Sequence, residues 1–208
     1  MKQVTLTMTE ARALLAHYSK KADTRTHYLQ FTREGDYSYA AATDGWTALV
    51  IRLGERGVNG SFAVAFSAIA EAVKIAGKKC SELTITPDKI SLPTGITIPI
   101  PPIADLGGRP LPDVLRVAKM ARVQEEQDRY TVSLSTELLA RFGDGAGVTI
   151  LPAPSGEVMT IAIHGQPDWI GFIMPRRDMT REGPKGETFD RVEWRRGWAW
   201  YATTEKED

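Results

Sequence analysis

The chain has 208 residues, of which 42% are hydrophobic and 25% charged, and its 26 basic side chains balance 26 acidic ones. This composition is typical of a globular protein of one or two domains and excludes a mostly disordered chain. Because the formal net charge is zero, bulk electrostatics indicates neither a nucleic acid nor an acidic substrate. The sequence contains no apolar run of membrane-span length and no signal-peptide pattern, so we expect a cytoplasmic protein without a membrane partner.

The residues that usually carry chemistry exclude several classes of enzyme. The one cysteine, Cys80, cannot form an internal disulfide, and it is either a thiol activated by neighbouring lysines or a structural residue. The three histidines have no metal-ligand spacing, so neither a metal nor a cofactor is expected. The glycine-rich runs at residues 143–147 and 183–186 lack the order of phosphate-binding loops, and no hydrolase or zinc-protease motif occurs. The sequence therefore does not predict an enzyme.

One pattern, a short strand followed by an amphipathic helix and further strands, occurs three times along the chain. In the first copy, alternation at residues 4–7 predicts a strand, and Thr7 or Thr9 caps a helix with apolar side chains at helical spacing. The later strands of this copy are predicted at residues 28–31, 37–42 and 46–53, with turns at 34–36 and 43–45.

The second and third copies repeat this order. The second begins with a strand at residues 62–66, and Ser67 is the predicted N-cap of a helix that ends near Gly77. The third begins at residues 130–134, with Ser135 as the cap of a short helix. Their later strands are predicted at residues 83–86, 90–92 and 95–100 and at residues 148–151, 158–163 and 169–174. Such units can arise by chance in an α+β protein, but their shared order favours one repeated architecture.

Two segments fall outside the repeats. Residues 99–112 are rich in proline and glycine and predict a linker, which is followed by a short helix near residues 114–121. Beyond residue 176 the sequence is charged, poor in aliphatic residues, and contains Trp194, Trp198 and Trp200. These tryptophans need an apolar surface, which is either their own chain or a partner.

Three short segments resemble the bacterial DNA polymerase III β sliding clamp. Residues 42–49 (ATDGWTAL) resemble the clamp's A-T-D-G-H-R-L segment, which follows a strand hairpin. Residues 111–117 (LPDVLRV) are similar to its F-P-D-Y-x-x-V connector, and residues 172–176 (FIMPR) to its C-terminal V-V-M-P-M-R-L strand. The segments occur in clamp order, each at the matching place in a unit.

The resemblance covers residues 3–176 and implies an α+β, DNA-clamp-like fold of three βαβββ units. It implies a clamp domain of two units at residues 1–103, a linker at 104–128, a third unit at 129–176 and a charged tail at 177–208. A bacterial clamp subunit has three domains of two units each, so four such chains would be needed to supply a ring of twelve units. Because the third unit lacks the half-domain with which it pairs in the family, we expect an exposed sheet edge and self-association as a homo-oligomer.

The resemblance also implies a pocket for the short peptide motif of polymerases and other clamp partners. Its residues would be Thr26, Thr43, Gly45, Trp46, Thr47, Ala48, Pro112, Val117, Phe172 and Met174. Trp46, Thr47 and Ala48 replace the family's His, Arg and Leu, so the pocket would be reshaped. We expect Gly45 to be required because a side chain there would obstruct the approach of the connector. In the alternative interpretation, these residues form ordinary core between two packed units.

DNA contact is a second implication of the resemblance, since clamps line their ring with helices whose basic residues meet phosphates without reading bases. The corresponding side chains here would be Arg12, Lys20, Lys21, Arg25, Lys74, Lys78 and Lys79. A solvated helix exterior would carry the same charges, so the sequence leaves both interpretations open.

Three hypotheses of function follow. The first is a non-catalytic, sliding-clamp-like processivity factor of DNA replication or repair that binds partner peptides. The second is a clamp-derived adaptor or decoy, of a kind that a phage or mobile element would encode, which binds such peptides without encircling DNA. The third is an unrelated α+β protein, which as an enzyme would require a cluster of perturbed titratable groups in a cleft.

Overall fold

The computed structural model describes residues 2–18, 24–58, 60–77, 80–103, 110–120, 136–143, 147–151 and 158–174. Its strands are β1 (Val4–Thr7), β2 (Tyr28–Glu34), β3 (Tyr37–Thr43), β4 (Thr47–Arg52), β5 (Phe62–Ala65), β6 (Glu82–Ile85), β7 (Lys89–Ser91), β8 (Thr97–Pro99), β9 (Val148–Leu151), β10 (Met159–Ile163) and β11 (Trp169–Ile173). Its helices are α1 (Met8–Ala16), α2 (Phe66–Ala76), α3 (Val114–Met120) and α4 (Thr136–Leu139), with 3-10 turns at Thr24–Thr26, Gly54–Arg56 and Ala140–Phe142. None of the helices in this described part of the chain is long and apolar enough to cross a membrane.

The first two units exchange their opening strands. A four-stranded sheet has the order β1-β6-β7-β8, and a seven-stranded sheet has the order β5-β2-β3-β4-β11-β10-β9. Each sheet therefore contains a strand from the other unit, which ties the two units into one body. Helices α1 and α2 contact each other, and their apolar faces share one core with strands of both sheets, as the resemblance implied.

Helix α1 begins where the sequence predicts. Thr7 is its N-cap: the Thr7 hydroxyl accepts a hydrogen bond from the Glu10 backbone N–H at 3.2 Å. The Glu10 carboxylate in turn accepts the Thr7 N–H at 2.8 Å, which completes a capping box. Both carboxylate oxygens of Glu10 also accept bonds from the Arg56 guanidinium at 2.8 Å. The start of this helix is thus fixed by local and long-range bonds together.

The predicted cap of helix α2 is wrong. The helix begins at Phe66 rather than after Ser67, and its N-cap residue Ala65 makes no side-chain capping bond. The Phe66 N–H instead donates to the backbone carbonyl of His27 at 3.0 Å. Because a neighbouring strand end satisfies this first N–H, the helix needs no capping side chain there. It ends before Gly77, as predicted.

The third unit extends the sheet of the first. Strand β11 pairs antiparallel with β4, in a register that runs from Trp169 opposite Ile51 to Ile173 opposite Thr47. Among the described residues, β9 pairs on one side only, with β10. The predicted strand at residues 130–134, the cap Ser135 and the tail at 177–208 lie outside the described residues. The domain boundaries stay predictions.

The two faces of the large sheet carry different elements. Alternate residues such as Leu49 and Ile51 of β4 point into the core shared with α1 and α2. Val50 and Ala48, on the other face, pack in a second apolar cluster with Val114 of α3 and Phe172 of β11. Helix α3, predicted at residues 114–121, therefore packs on β3 and β4, with Phe172 of β11 beside it.

Candidate functional site

A largely apolar cavity of about 200 Å³ lies between α3 and the junction of β4 with β11. It is lined by Thr26, Thr43, Gly45, Trp46, Thr47, Ala48, Pro112, Asp113, Val114, Val117, Val158, Phe172 and Met174. All of the predicted pocket residues are among them, so the structure brings the whole set together. Their role in peptide binding stays a prediction.

The lining residues divide into a floor and a rim. Phe172 is 1% exposed and Ala48 is also buried, so the floor is continuous with the second apolar cluster. Trp46 is 62% exposed and Val117 39% exposed, and these two side chains stand at the rim. Part of the set is therefore core and part faces solvent, and the choice between a peptide pocket and ordinary core stays a prediction.

Asp44 organises the turn that forms one wall. Its Oδ1 accepts hydrogen bonds from the backbone N–H groups of Trp46 at 2.9 Å and Thr47 at 2.8 Å. The Thr47 hydroxyl donates to the same oxygen at 3.2 Å. Across the turn, the Thr43 hydroxyl donates to the Thr47 carbonyl at 2.8 Å and accepts the Gly45 N–H at 3.0 Å. These hydrogen bonds fix the backbone of the turn, and with it the position of Trp46 at the rim.

The expected reason for Gly45 is wrong. A Cβ placed on Gly45 would meet no atom of the described residues within 4 Å, so no close approach of the connector requires glycine. The backbone itself requires it, because Gly45 has a φ of +90°, a conformation that other residues adopt only with strain. The sequence analysis therefore selected the right residue for the wrong reason: it expected crowding, whereas the positive φ is what requires glycine.

Behind the turn, two side chains from other parts of the fold contact it, the partly buried Arg141 and the buried His17. Arg141 forms an ion pair with Asp44, whose side chain is 2% exposed. Burial raises the pKa of Asp44, but the N–H groups of Thr47 and Trp46 and the Arg141 guanidinium lower the pKa by more, so it lies below its ordinary value. His17, which is fully buried, places Nδ1 3.0 Å from the Thr47 hydroxyl.

His17 is neutral in this environment. Burial is the main reason that its pKa falls to about 4; the Asp44 carboxylate raises the pKa and the Arg141 guanidinium lowers it. The imidazole packs against the ring of Phe142, with 4.7 Å between ring centroids. Its Nε2 has no hydrogen-bond partner among the described residues. His17 thus supports the turn as a buried, uncharged side chain.

The connector forms the opposite wall and is bonded to the sheet. The side-chain amide of Gln30 on β2 donates to the Pro112 carbonyl at 2.8 Å. Asp113 immediately precedes α3, and its carboxylate accepts the Arg116 N–H at 2.9 Å. On the remaining side, the Met174 N–H donates to the Trp46 carbonyl at 2.9 Å, which joins the end of β11 to the turn. The cavity therefore has three walls that are tied to one sheet.

Sequence reasoning missed three lining residues and the group behind the turn. Asp113 and Val114 lie within the connector motif and could have been found there, and Val158 begins a predicted strand. Arg141 carried no comparable signal, because it is separated from Asp44 by 97 positions. A pairing over that distance depends on how the third unit docks, which local spacing does not encode.

The predicted DNA-facing side chains are described only in part. Lys20, Lys21, Lys78 and Lys79 lie outside the described residues. Arg12 and Lys74 are exposed on α1 and α2, and Arg12 donates to the Gly77 carbonyl at 3.0 Å, while Arg25 is half-buried. In the described part of these two helices, Glu71 accompanies Arg12 and Lys74 as the exposed charged residues. The described part of these two helices therefore exposes two basic side chains and one acidic one.

A metal site does not emerge from the described residues. They contain no group of three or more His, Cys, Asp or Glu side chains that is placed to hold a metal ion. Cys80 is a free, buried thiol.

Comparisons with known proteins identify the fold. No protein-family model matches the chain, and no curated protein matches it. Among solved structures, the chain is similar to the β sliding clamp of Caulobacter crescentus, with 14% identity and a TM-score of 0.54 over 85% of this chain and 66% of that one. It is similar to the sliding clamp of Pseudomonas aeruginosa, with 13% identity and a TM-score of 0.58 over 85% and 67%. The DNA polymerase III β subunit of Thermotoga maritima gives 10% identity and a TM-score of 0.56 over 86% and 66%.

The Caulobacter protein was solved with polyethylene glycol bound to a region proposed to tether β-motifs. The present chain spans about two thirds of the length of these clamps. At such low identity the similarity establishes architecture. The chain has the DNA-clamp fold, as its three sequence segments implied.

Proposed function

We propose that the chain is a sliding-clamp-like, non-catalytic accessory protein of DNA replication or repair, which binds a short peptide of a partner protein in the cavity between α3 and β11. The observation that carries the proposal is the convergence of all predicted pocket residues on one cavity. The Caulobacter clamp, in which one region is assigned to β-motif tethering, also supports a peptide ligand in this fold. The proposal includes a cytoplasmic location.

The size and chemistry of the cavity define the ligand. A volume of about 200 Å³ is smaller than the roughly 300–1,000 Å³ of ordinary small-molecule sites and suits one or two side chains. Its apolar floor favours leucine and phenylalanine anchors, and the exposed ring of Trp46 offers them a flat contact at the rim. Among the described lining residues, Asp113 alone carries a charge, which favours a basic residue beside the anchors.

A titration of a labelled peptide with leucine and phenylalanine anchors and a flanking lysine tests the proposal. Replacing Met174 by alanine removes apolar contact of on the order of 1 to 3 kcal/mol, so affinity should fall about fivefold or more. Ile170→Ala is the matched control, because Ile170 lies on β11, the strand that Met174 follows, is 37% exposed and does not line the cavity. Absence of binding to the wild type, or equal losses in the two variants, would contradict the proposal.

The second candidate function is an adaptor that binds such peptides without encircling DNA. Such an adaptor needs no basic surface, and the described parts of α1 and α2 expose the acidic Glu71 beside the basic Arg12 and Lys74. Fluorescence anisotropy with labelled duplex DNA separates the two candidates. A clamp surface should bind weakly at low salt, with affinity falling steeply as salt rises, and lose affinity in Arg12→Glu/Lys74→Glu. An adaptor should show no binding at any salt concentration.

Self-association is also part of the proposal. An edge strand leaves backbone N–H and C=O groups open to pairing, and β9 has one paired side in the described residues. Light scattering over a range of protein concentrations should show a species larger than one chain. A strict monomer at all concentrations would contradict it.

A further inference from the structure

The buried carboxylate behind the cavity receives its counter-ion from the third unit. Asp44 lies between β3 and β4 and is 2% exposed at its side chain, whereas Arg141 lies in the 3-10 turn after α4 and is 20% exposed. We propose that Arg141 is a positioning residue for the peptide site: it fixes the wall of the cavity formed by residues 43–47 without contacting the ligand. This inference rests on the proposed function.

The two oxygens of Asp44 serve different partners. Oδ1 accepts the two backbone N–H groups that set the turn, from Trp46 and Thr47, and Oδ2 binds Arg141. The Arg141 guanidinium also approaches the Thr47 hydroxyl at 3.4 Å. Arg141 therefore binds the same Asp44 carboxylate that accepts the backbone hydrogen bonds of the turn carrying Trp46. Arg141 itself does not line the cavity in the described part of the chain.

Packing fixes the position of Arg141. Its neighbour Phe142 is 4% exposed and contacts the His17 ring of α1. Phe142 also lies directly on Gly171 of β11, where an added Cβ would overlap its ring. Phe142 is thus packed between the first unit and β11. Because its neighbour in the chain is fixed in this way, the guanidinium of Arg141 has little freedom to reorient.

The junction between the units has other sources of cohesion. Strands β4 and β11 pair over five residues, and Arg52 binds Asp168 at the far end of these strands, with 2.7 Å from Nε to Oδ1. Because the units stay joined without Arg141, its removal should release the turn rather than undock the third unit. Arg52 supplies a matched control, since it is an arginine in an ion pair across the same junction.

The experiment compares Arg141→Met, Asp44→Asn, the double variant and Arg52→Met with the wild type in the full chain. The first readout is the affinity for the labelled leucine- and phenylalanine-containing peptide. The second is amide hydrogen exchange at Trp46 and Thr47, which reports on the turn without any peptide. Thermal unfolding of each variant confirms that it is folded at the temperature of the measurement.

We expect Arg141→Met to weaken peptide binding about 5- to 100-fold and to speed exchange at the two amides, and Arg52→Met to change neither by more than about twofold. Asp44→Asn in the Arg141→Met background should restore part of the affinity, because a neutral amide needs no counter-ion and still accepts the turn's hydrogen bonds. General loss of structure would not produce this rescue.

The outcomes separate the two proposals. If the wild type binds no peptide but exchange at Trp46 and Thr47 still rises in Arg141→Met, the proposed function fails and the positioning of the turn by Arg141 stands. If the wild type binds peptide and Arg141→Met binds equally well, the inference about Arg141 is overturned and the proposed function stands. Unchanged exchange in Arg141→Met also overturns the inference.

Discussion

Two ion pairs join the first and third units at opposite ends of the β4–β11 pairing. Asp44 and Arg141 have side chains that are 2% and 20% exposed, whereas those of Arg52 and Asp168 are 46% and 49% exposed. At the first end the carboxylate accepts bonds from its own turn and a buried histidine packs nearby. At the second end the guanidinium also lies over the Tyr37 ring, 5.5 Å from its centroid.

The difference in exposure between the two ion pairs indicates which end of the β4–β11 pairing has the more fixed geometry. A pair exposed to water contributes little to stability, because solvent screens it and the long side chains must be ordered. A buried pair carries a desolvation cost that only well-made bonds offset, and loss of one partner is expensive. The Asp44–Arg141 pair, which carries the desolvation cost, lies behind the cavity, whereas the exposed Arg52–Asp168 pair lies away from it. This contrast supports the cavity as the part of the fold that requires a fixed geometry.

The largest expected effect comes from removing the buried carboxylate. Asp44→Ala should lower the free energy of unfolding by about 3 kcal/mol, since Arg141 and the N–H groups of Trp46 and Thr47 lose their acceptor. Asp168→Ala, at the exposed end, should cost much less, because solvent screens that ion pair. Urea denaturation of the two variants measures both values. Equal costs would remove the contrast between the two ends.

A pH titration of stability sharpens the same contrast through His17. The pKa of this histidine is about 4 in the folded protein, against about 6.5 in an unfolded chain. As pH falls from 6.5 to 4, the unfolded state takes up a proton that the folded state does not, so the free energy of unfolding decreases, by about 3 kcal/mol from this group. Asp44 acts in the same direction at lower pH, because its lowered pKa contributes stability that is lost as the carboxylate protonates.

His17→Gln should remove this part of the pH dependence. His164→Gln is the control, because His164 is exposed and lies away from Asp44. Denaturation curves at pH 7 and pH 4.5 for the wild type and both variants supply the measurement. If His17→Gln has the same pH dependence as the wild type, the imidazole is not the buried neutral group described here.

A smaller effect is expected from adding a methyl group at Gly171, which lies directly against the Phe142 ring. A Cβ on Gly171 would overlap the Phe142 ring and lie 3.1 Å from the Ile161 Cβ. Gly171→Ala should therefore destabilise the chain by about 1–3 kcal/mol. In Gly171→Ala/Phe142→Ala the overlap is absent, so the double variant should lose less stability than the sum of the single variants. Strict additivity would show that the two residues do not contact each other.

Much of the fold followed from local patterns in the sequence. Strand β1 has the predicted bounds, Val4–Thr7, because alternation marks the strand and its last residue, Thr7, is the N-cap of the next helix. The start of α2 was predicted two residues late, since the backbone carbonyl of His27 replaced a capping side chain. A side-chain pattern cannot reveal a bond that another strand's backbone supplies.

In the candidate site, too, features with a local sequence signal were predicted and long-range contacts were not. Most of its lining was predicted from three segments that resemble a known family, and the structure brings those residues together. The support behind the lining was not predicted, because Arg141 and His17 are distant from the turn in sequence and only the docking of three elements makes them its neighbours. The role of Gly45 was also misjudged, because a positive φ is a property of the backbone and not of crowding.

The most direct test of the central claim compares two turn glycines in a peptide titration. Gly45 and Gly35 have positive φ values of +90° and +59°, and a Cβ on either meets no described atom within 4 Å. Gly45 lines the cavity, whereas Gly35 lies in the β2–β3 turn and does not line it. Gly45→Arg should weaken binding of the labelled peptide by at least about tenfold, roughly 1.4 kcal/mol, and Gly35→Arg should leave it within about twofold of the wild type. Equal affinities in the two variants would contradict the assignment of the cavity as the peptide site.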